Sequence, residues 1–185
     1  LAAQTLQPLT QVSLGEIPYY HFTHGTLAGI DNILISATGY TGAGGFELYV
    51  HKNEAAALWD AVVQSGSSLG IQPVGLAARD TLRLEMGYCL YGNDINDQTS
   101  PISAGLGWIT KFTKPFINSE SLRAEKEAGS ERKLVGFKIL DRGIPRHDYI
   151  LENQAGQSIG VVTSGTMSPS LSEGIGMGYL DRAYC

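Results

Sequence analysis

Apolar positions in the first half of the chain follow strand spacing in three places. β-Branched and aromatic runs bounded by glycine predict strands at Tyr19–Thr23, Ile33–Thr38 and Phe46–His51. In the third run, Phe46, Leu48 and Val50 alternate with polar positions and share one face of the predicted strand. Glu47 therefore points to the opposite face, at the beginning of that strand.

Helical spacing surrounds these strands. A short helix is predicted over Ala2–Leu9, and a longer one follows Asn53, a good helix cap, and ends at Gly66. A short strand near Ile71–Pro73 precedes another helix over Leu76–Met86, which Gly87 terminates. This order predicts an α+β fold, a split βαββαβ (ferredoxin-like) layer that lacks its first strand.

From Leu134 onward the pattern changes to short strands separated by glycine, proline and aspartate. They are predicted at Leu134–Leu140, Tyr149–Leu151, Ser158–Thr163 and Gly176–Leu180. Their regular spacing is typical of a small antiparallel β-barrel or sandwich. A charged, glycine-bearing stretch separates the two patterns, so we predict one domain over residues 1–125 and a β-barrel domain over residues 131–185.

Composition and charge exclude several classes of function. The chain has 185 residues, a net charge of −5 and a pI of about 5.3, so it carries no basic footprint for nucleic acid. No apolar run reaches the roughly 18–20 residues that span a bilayer. Cys89 and Cys185 show neither metal nor redox spacing, which suits a reducing cytoplasm. His21 and His24 lack a third ligand, so no metal site is predicted.

The segment before the third strand carries the strongest functional signal. It reads Thr38-Gly-Tyr-Thr-Gly-Ala-Gly-Gly-Phe-Glu-Leu-Tyr-Val50, with four glycines in one short loop. Glycine at this density allows positive φ and a close approach of another surface, which indicates a ligand-presenting loop. The loop lacks the G-x-G-x-x-G order and leads into a strand instead of a helix N-terminus, so it does not indicate a nucleotide site.

This segment resembles the glycine-rich segment of the aminomethyltransferases, the T-protein of the glycine cleavage system. The resemblance continues through Gly75-Leu-Ala-Ala-Arg-Asp-Thr-Leu-Arg-Leu-Glu-Met-Gly87 and Leu90-Tyr-Gly-Asn-Asp-Ile95, and reappears in Gly160–Gly165, Ser168–Leu171 and Gly176–Tyr179. It implies a folate-binding layer. It also implies transfer of a one-carbon unit from the aminomethyl-dihydrolipoyl arm of the H-protein to tetrahydrofolate, with release of ammonia.

The resemblance also implies which side chains bind the folate. In the family, the glutamate of this motif, here Glu47, grips the pterin edge, and a tyrosine at the position of Tyr40 lies in the same pocket. Arg79, the first arginine of Ala-Arg-Asp, matches a ligand-contacting arginine. Arg83, one turn later, either makes local ion pairs or serves the ligand, and Ser164 lacks a nucleophile elbow and is interpreted as part of a structural turn.

The resemblance extends to what the chain lacks. Family members carry a further domain before the matched part and more strand after it, so we expect a fragment truncated at both ends and inactive alone. The family's catalytic aspartate lies in that N-terminal part, and no catalytic residue is assigned here. Uncovered apolar surface and strand edges predict self-association. A cytoplasmic location is expected, or a mitochondrial one in a eukaryote.

Two alternatives stay open from the sequence. One is another tetrahydrofolate-dependent one-carbon transferase or demethylase of the same architecture. The other is a stand-alone folate-binding module without enzymatic activity. The upstream sequence would discriminate between them.

Overall fold

The computed structural model describes residues 1–185, and the chain divides into two compact units. The first unit is Leu1–Arg79 and the second is Asp80–Cys185. The boundary that the sequence places at residues 125–131 lies inside the second unit and stays a prediction.

The first unit contains a three-stranded antiparallel sheet with helices. Its elements are α1 (Ala2–Leu6), β1 (Phe22–Leu27), β2 (Ile30–Ser36), β3 (Glu47–Tyr49), α2 (Ala55–Gly66) and the first turn of α3 (Leu76–Glu85). The strand order is β1-β2-β3. Ala28 and Gly29, both with positive φ, join β1 to β2, and two such residues match the twist of the flanking strands. The α+β architecture predicted from the sequence is confirmed.

One face of this sheet carries the core of the first unit. The buried side chains are Leu6, Leu14, Leu27, Ile33, Ile35 and Leu58, and Phe46, Leu48 and Val50 pack against them. Burial of each such aliphatic side chain contributes about 1.5–3 kcal/mol. The alternation seen in the sequence therefore describes the real faces of β3, and Glu47 stays exposed on the other side.

Two local predictions for the first unit are wrong. No strand forms at Ile71–Pro73, because the Ile71 N–H donates to the carbonyl of Gly66 and the intervening Gly70 has φ of 75°. That geometry closes the end of a helix and uses the Ile71 N–H, and Pro73 has no N–H to donate to a ladder. Asn53 is not the helix cap, since the His51 ring accepts from the Asn53 N–H and caps a 3₁₀ turn that leads into α2.

The second unit holds the rest of α3, α4 (Ser119–Ala128) and four strands: β4 (Arg132–Lys138), β5 (Ile150–Glu152), β6 (Ser158–Ser168) and β7 (Glu173–Asp181). All pairings are antiparallel and the order is β4-β7-β6-β5. All four strands that the sequence predicts are present. None of the helices has both the length and the apolar character needed to cross a membrane.

Strand β6 contains a bulge that matters for its neighbours. Val162 pairs with Gly178 and Ser164 pairs with Met177, so Thr163 is the extra residue of the pair of strands. In a regular strand, successive side chains point to opposite faces. Here the side chains of Thr163 and Ser164 are both buried and both bind the same side-chain network. The bulge makes this possible because it turns one of the two side chains to the face on which the other lies.

The first unit exposes aromatic side chains on the side of the sheet away from its core. Phe22 and Tyr49 are 61% and 57% exposed, and β1 and β3 are both edge strands. Exposed apolar surface and open edges favour pairing with another chain.

We expect the 185-residue chain to form dimers or a concentration-dependent mixture in light scattering coupled to size-exclusion chromatography, and Tyr49→Lys to weaken that association. A single species of 19.8 kDa at high micromolar concentration would contradict this prediction.

Candidate functional site

Glu47 occupies the start of β3, directly after the glycine-rich loop. Its backbone pairs with Ser36 of β2, so the two side chains share the face opposite the core. The Thr38 hydroxyl donates a hydrogen bond to Glu47 Oε2 and lies 2.9 Å from Ser36 Oγ. Thr38, at the beginning of the loop, thus binds the carboxylate of Glu47, at the end of the loop.

Tyr40 and Arg79 lie in contact within the first unit. The guanidinium carbon of Arg79 is 4.4 Å from the centroid of the Tyr40 ring, which is a cation–π arrangement. Tyr40 is half-buried and Arg79 is exposed. The structure therefore brings two of the three predicted site residues together, although they lie 39 positions apart in the chain.

The glycines of the loop serve different geometric needs. Gly42 has φ of 73°, a conformation that side chains with a Cβ rarely adopt. A Cβ added at Gly44 or Gly45 would meet nothing within 4 Å, so the space above this part of the loop is open. An open backbone next to an exposed carboxylate leaves room for a flat ligand.

Arg83 serves a purpose different from that of Arg79. Its side chain is 1% exposed and donates to Asp80 Oδ1 at 2.8 Å and to Asp94 Oδ2 at 2.6 Å. It also donates to Ser164 Oγ at 2.8 Å. The expected ion pair with Asp80 is present, but the arginine is not solvated. Ser164 lies in strand β6, so its interpretation as part of a turn is wrong.

Asp94 is the second charge of this buried network. It is fully buried, and its carboxylate accepts from the Leu90 N–H at 2.8 Å and from Thr163 Oγ1 at 2.5 Å. The Tyr179 hydroxyl donates to its backbone carbonyl at 2.9 Å. Because every polar group here has a partner, the network stabilises the second unit and offers no free group for chemistry.

Nearby titratable groups support this structural interpretation. Burial, and then the charge of Asp94, raise the pKa of the Cys89 thiol, so Cys89 is a poor nucleophile. Hydrogen bonds from Ser168 and Ser170 lower the pKa of Glu85, which accepts from both serine hydroxyls. Glu85 therefore holds the loop after β6 instead of pairing with an arginine.

The sequence interpretation did not include Thr38 or Asp94. Thr38 was visible as the first residue of the loop, two positions beyond Ser36 on the same predicted face. Asp94 lies in the Leu90–Ile95 block with the flanking sequence Gly-Asn-Asp, which is typical of a turn, and nothing in its spacing indicates burial. Only the fold shows that this aspartate faces Arg83.

Two models of known protein domains match this chain. Residues 1–114 match the GCVT N-terminal domain, and residues 132–185 match the glycine cleavage T-protein C-terminal barrel domain. The chain belongs to the glycine cleavage T-protein family. The family resemblance drawn from the sequence is confirmed.

Several relatives of this family member carry the name aminomethyltransferase. One from Bacteroides thetaiotaomicron is 62% identical over 185 residues, which are 99% of the chain and 51% of that protein. One from Flavobacterium psychrophilum is 56% identical over 183 residues, 99% of the chain and 51% of that protein. The chain thus spans about half the length of the curated relatives it matches.

A solved structure shows the same fold. The crystal structure of glycine cleavage system aminomethyltransferase T from Bartonella henselae matches with a TM-score of 0.83 at 35% identity, covering 92% of this chain and 46% of that one. This family member therefore has the fold of the matching part of that aminomethyltransferase.

Proposed function

We propose that this chain forms the folate-binding part of an aminomethyltransferase. The reaction moves the one-carbon unit of the aminomethyl-dihydrolipoyl arm of the H-protein to tetrahydrofolate and releases ammonia. The observation that supports it most strongly is 62% identity over 99% of the chain to a protein named aminomethyltransferase. The same names favour aminomethyl transfer over a demethylase or a stand-alone folate-binding module.

Glu47 is proposed to bind the pterin ring of tetrahydrofolate. A pterin edge presents an N–H and an amino group side by side, and an ionised carboxylate offers two acceptor oxygens at a matching separation. Glu47 fits this requirement because it is exposed and its Oε2 is bound by Thr38. Its Oε1, and the remaining lone pair of Oε2, can accept from a ligand.

Tyr40 and Arg79 are proposed to complete the binding surface. A tyrosine ring packs on a flat heterocycle, and its hydroxyl can bind water or the ligand. A guanidinium holds carbonyl or carboxylate groups through a planar fork of donors. Since Arg79 stacks on Tyr40, each side chain fixes the other, and less freedom remains to be lost when a ligand binds.

Tetrahydrofolate would supply the nitrogen that accepts the one-carbon unit. The residues of this chain would hold the folate in place and help to exclude water, and we assign none of them to proton transfer. The H-protein is the proposed partner, and the cytoplasm, or the mitochondrion in a eukaryote, is the proposed location.

Glu47→Ala is expected to weaken tetrahydrofolate binding at least tenfold in the protein encoded by the intact reading frame. The change leaves pterin donors unpaired, and each hydrogen bond to a charged group contributes about 1.5–3 kcal/mol, where 1.4 kcal/mol corresponds to a factor of ten. Calorimetric titration measures the dissociation constant directly.

The matched control for this experiment is Glu54→Ala. Glu54 is also exposed and lies in the same unit, but it occupies the 3₁₀ turn before α2. Its replacement should leave the affinity unchanged. Equal dissociation constants for wild type and Glu47→Ala would remove Glu47 from the pterin site.

A further inference from the structure

We propose that Thr38 and Ser36 are positioning residues that hold the Glu47 carboxylate in the orientation that binds the ligand. This inference rests on the proposed function, because it concerns the same carboxylate. Its basis is a row of three oxygen-bearing side chains on one face of the sheet, from Ser36 through Thr38 to Glu47.

The backbone places these three side chains together. Ser36 and Glu47 are directly paired across β2 and β3. Thr38 follows Ser36 by two residues, and its hydroxyl lies 2.9 Å from Ser36 Oγ. The side chains of directly paired residues, here Ser36 and Glu47, stand close enough to interact. Thr38, which lies beside Ser36, therefore reaches the Glu47 carboxylate at the end of the strand.

The direction of these hydrogen bonds follows from the chemistry of the groups. An ionised carboxylate only accepts hydrogen bonds, and a threonine hydroxyl carries a single proton. Thr38 therefore donates to Glu47 Oε2, and the Thr38 oxygen accepts from the Ser36 hydroxyl. Each bond polarises the next, which strengthens the hold on the carboxylate.

Burial decreases outward along the row. Ser36 is 9% exposed, Thr38 is half-buried and Glu47 is exposed. A free glutamate at the surface samples many rotamers, and a ligand that needs one of them must restrict the side chain on binding. The two hydroxyls fix one carboxylate oxygen in advance and leave the other free. The two hydroxyls therefore raise the affinity by orienting Glu47, and they do not contact the ligand themselves.

The test compares Thr38→Val and Thr38→Ser in the protein encoded by the intact reading frame. Valine keeps the shape of threonine and removes the hydroxyl, so tetrahydrofolate affinity should fall about three- to tenfold, the cost of restricting one long side chain. Serine keeps the hydroxyl and should restore most of the affinity. Calorimetric titration with tetrahydrofolate provides the dissociation constants.

A matched control removes a similar hydrogen bond, also from a threonine hydroxyl to a carboxylate, elsewhere on the sheet. Thr26 Oγ1 donates to Asp31 Oδ1 at 2.7 Å, and Thr26 lies four positions along β1 from Phe22, the residue that pairs with Ser36. Thr26→Val therefore deletes one threonine–carboxylate hydrogen bond from the same unit without touching the row. It should leave the affinity within about twofold of wild type, inside the uncertainty of additivity for independent sites.

A double-mutant cycle separates positioning from direct contact. If Thr38 acts through Glu47, Thr38→Val should have no further effect in a Glu47→Ala background. A loss of equal size in both backgrounds would overturn the inference, as would unchanged affinity for Thr38→Val alone. Unchanged affinity for Glu47→Ala would instead overturn the proposed role of Glu47 in pterin binding, on which this inference rests. Thr38→Ala also removes the hydroxyl and replaces Thr38→Val in the same cycle should the valine variant fail to fold.

Discussion

Asp94→Ala is expected to lower the free energy of unfolding of the 185-residue chain by about 3–5 kcal/mol. The change removes the buried anion that binds the Arg83 guanidinium at 2.6 Å, and the partly exposed Asp80 is then its remaining anionic partner. It also removes the acceptor of the Leu90 N–H and of the Thr163 hydroxyl. Urea denaturation followed by circular dichroism measures the change.

Three further variants separate the charge from the hydrogen bonds. Asp97→Ala alters an exposed aspartate three residues away and should change the unfolding free energy by no more than about 0.5 kcal/mol. Asp94→Asn keeps the shape and should be milder than alanine. The pair Arg83→Met with Asp94→Leu removes both charges and should recover part of the loss. A loss below about 1 kcal/mol for Asp94→Ala would mean that water or another anion replaces the carboxylate.

The 185-residue chain alone is expected to release no ammonia above background when aminomethylated H-protein and tetrahydrofolate are supplied. It spans about half of its relatives, and the family resemblance implies that the catalytic aspartate belongs to the other half. Correct positioning of two reactants can supply about 7–11 kcal/mol of the barrier, so an incomplete pocket forfeits most of the rate.

The assay for this prediction uses the Bacteroides thetaiotaomicron aminomethyltransferase as its positive control, since it is 62% identical over the shared region. Ammonia is measured enzymatically over several hours. Release from the 185-residue chain that depends on both substrates would show that these residues form a complete site by themselves.

Periodicity in the sequence predicted most of the elements, but it wrongly predicted a strand at Ile71–Pro73 and did not give the ends of the strands. The predicted first strand included Tyr19 and Tyr20, yet Tyr20 has φ of 65° and β1 begins at Phe22. A residue with backbone angles in the left-handed region interrupts a strand. The pattern of apolar positions in a sequence carries no information about φ. In the second unit, β6 extends to Ser168, five residues beyond its predicted end, because β7 pairs with it that far.

The candidate site likewise has one feature that the sequence predicts and others that it does not. Alternation in the sequence alone predicted that Glu47 faces away from the core. The contact between Tyr40 and Arg79 depends on how α3 returns to the glycine-rich loop, which local spacing cannot report. The Arg83 network joins residues 81 positions apart and relies on an irregular strand, so neither its burial nor its partners could be predicted from the sequence.

The bulge at Thr163 limits how the length of this chain can vary among relatives. Deletion of one residue there would restore regular pairing and send either Thr163 or Ser164 to the opposite face, away from Asp94 or Arg83. The turn at Asn153–Gly156, whose residues are largely exposed, has no such constraint. Insertions and deletions in related sequences should therefore collect between β5 and β6, while the spacing from Gly160 to Ser168 stays constant.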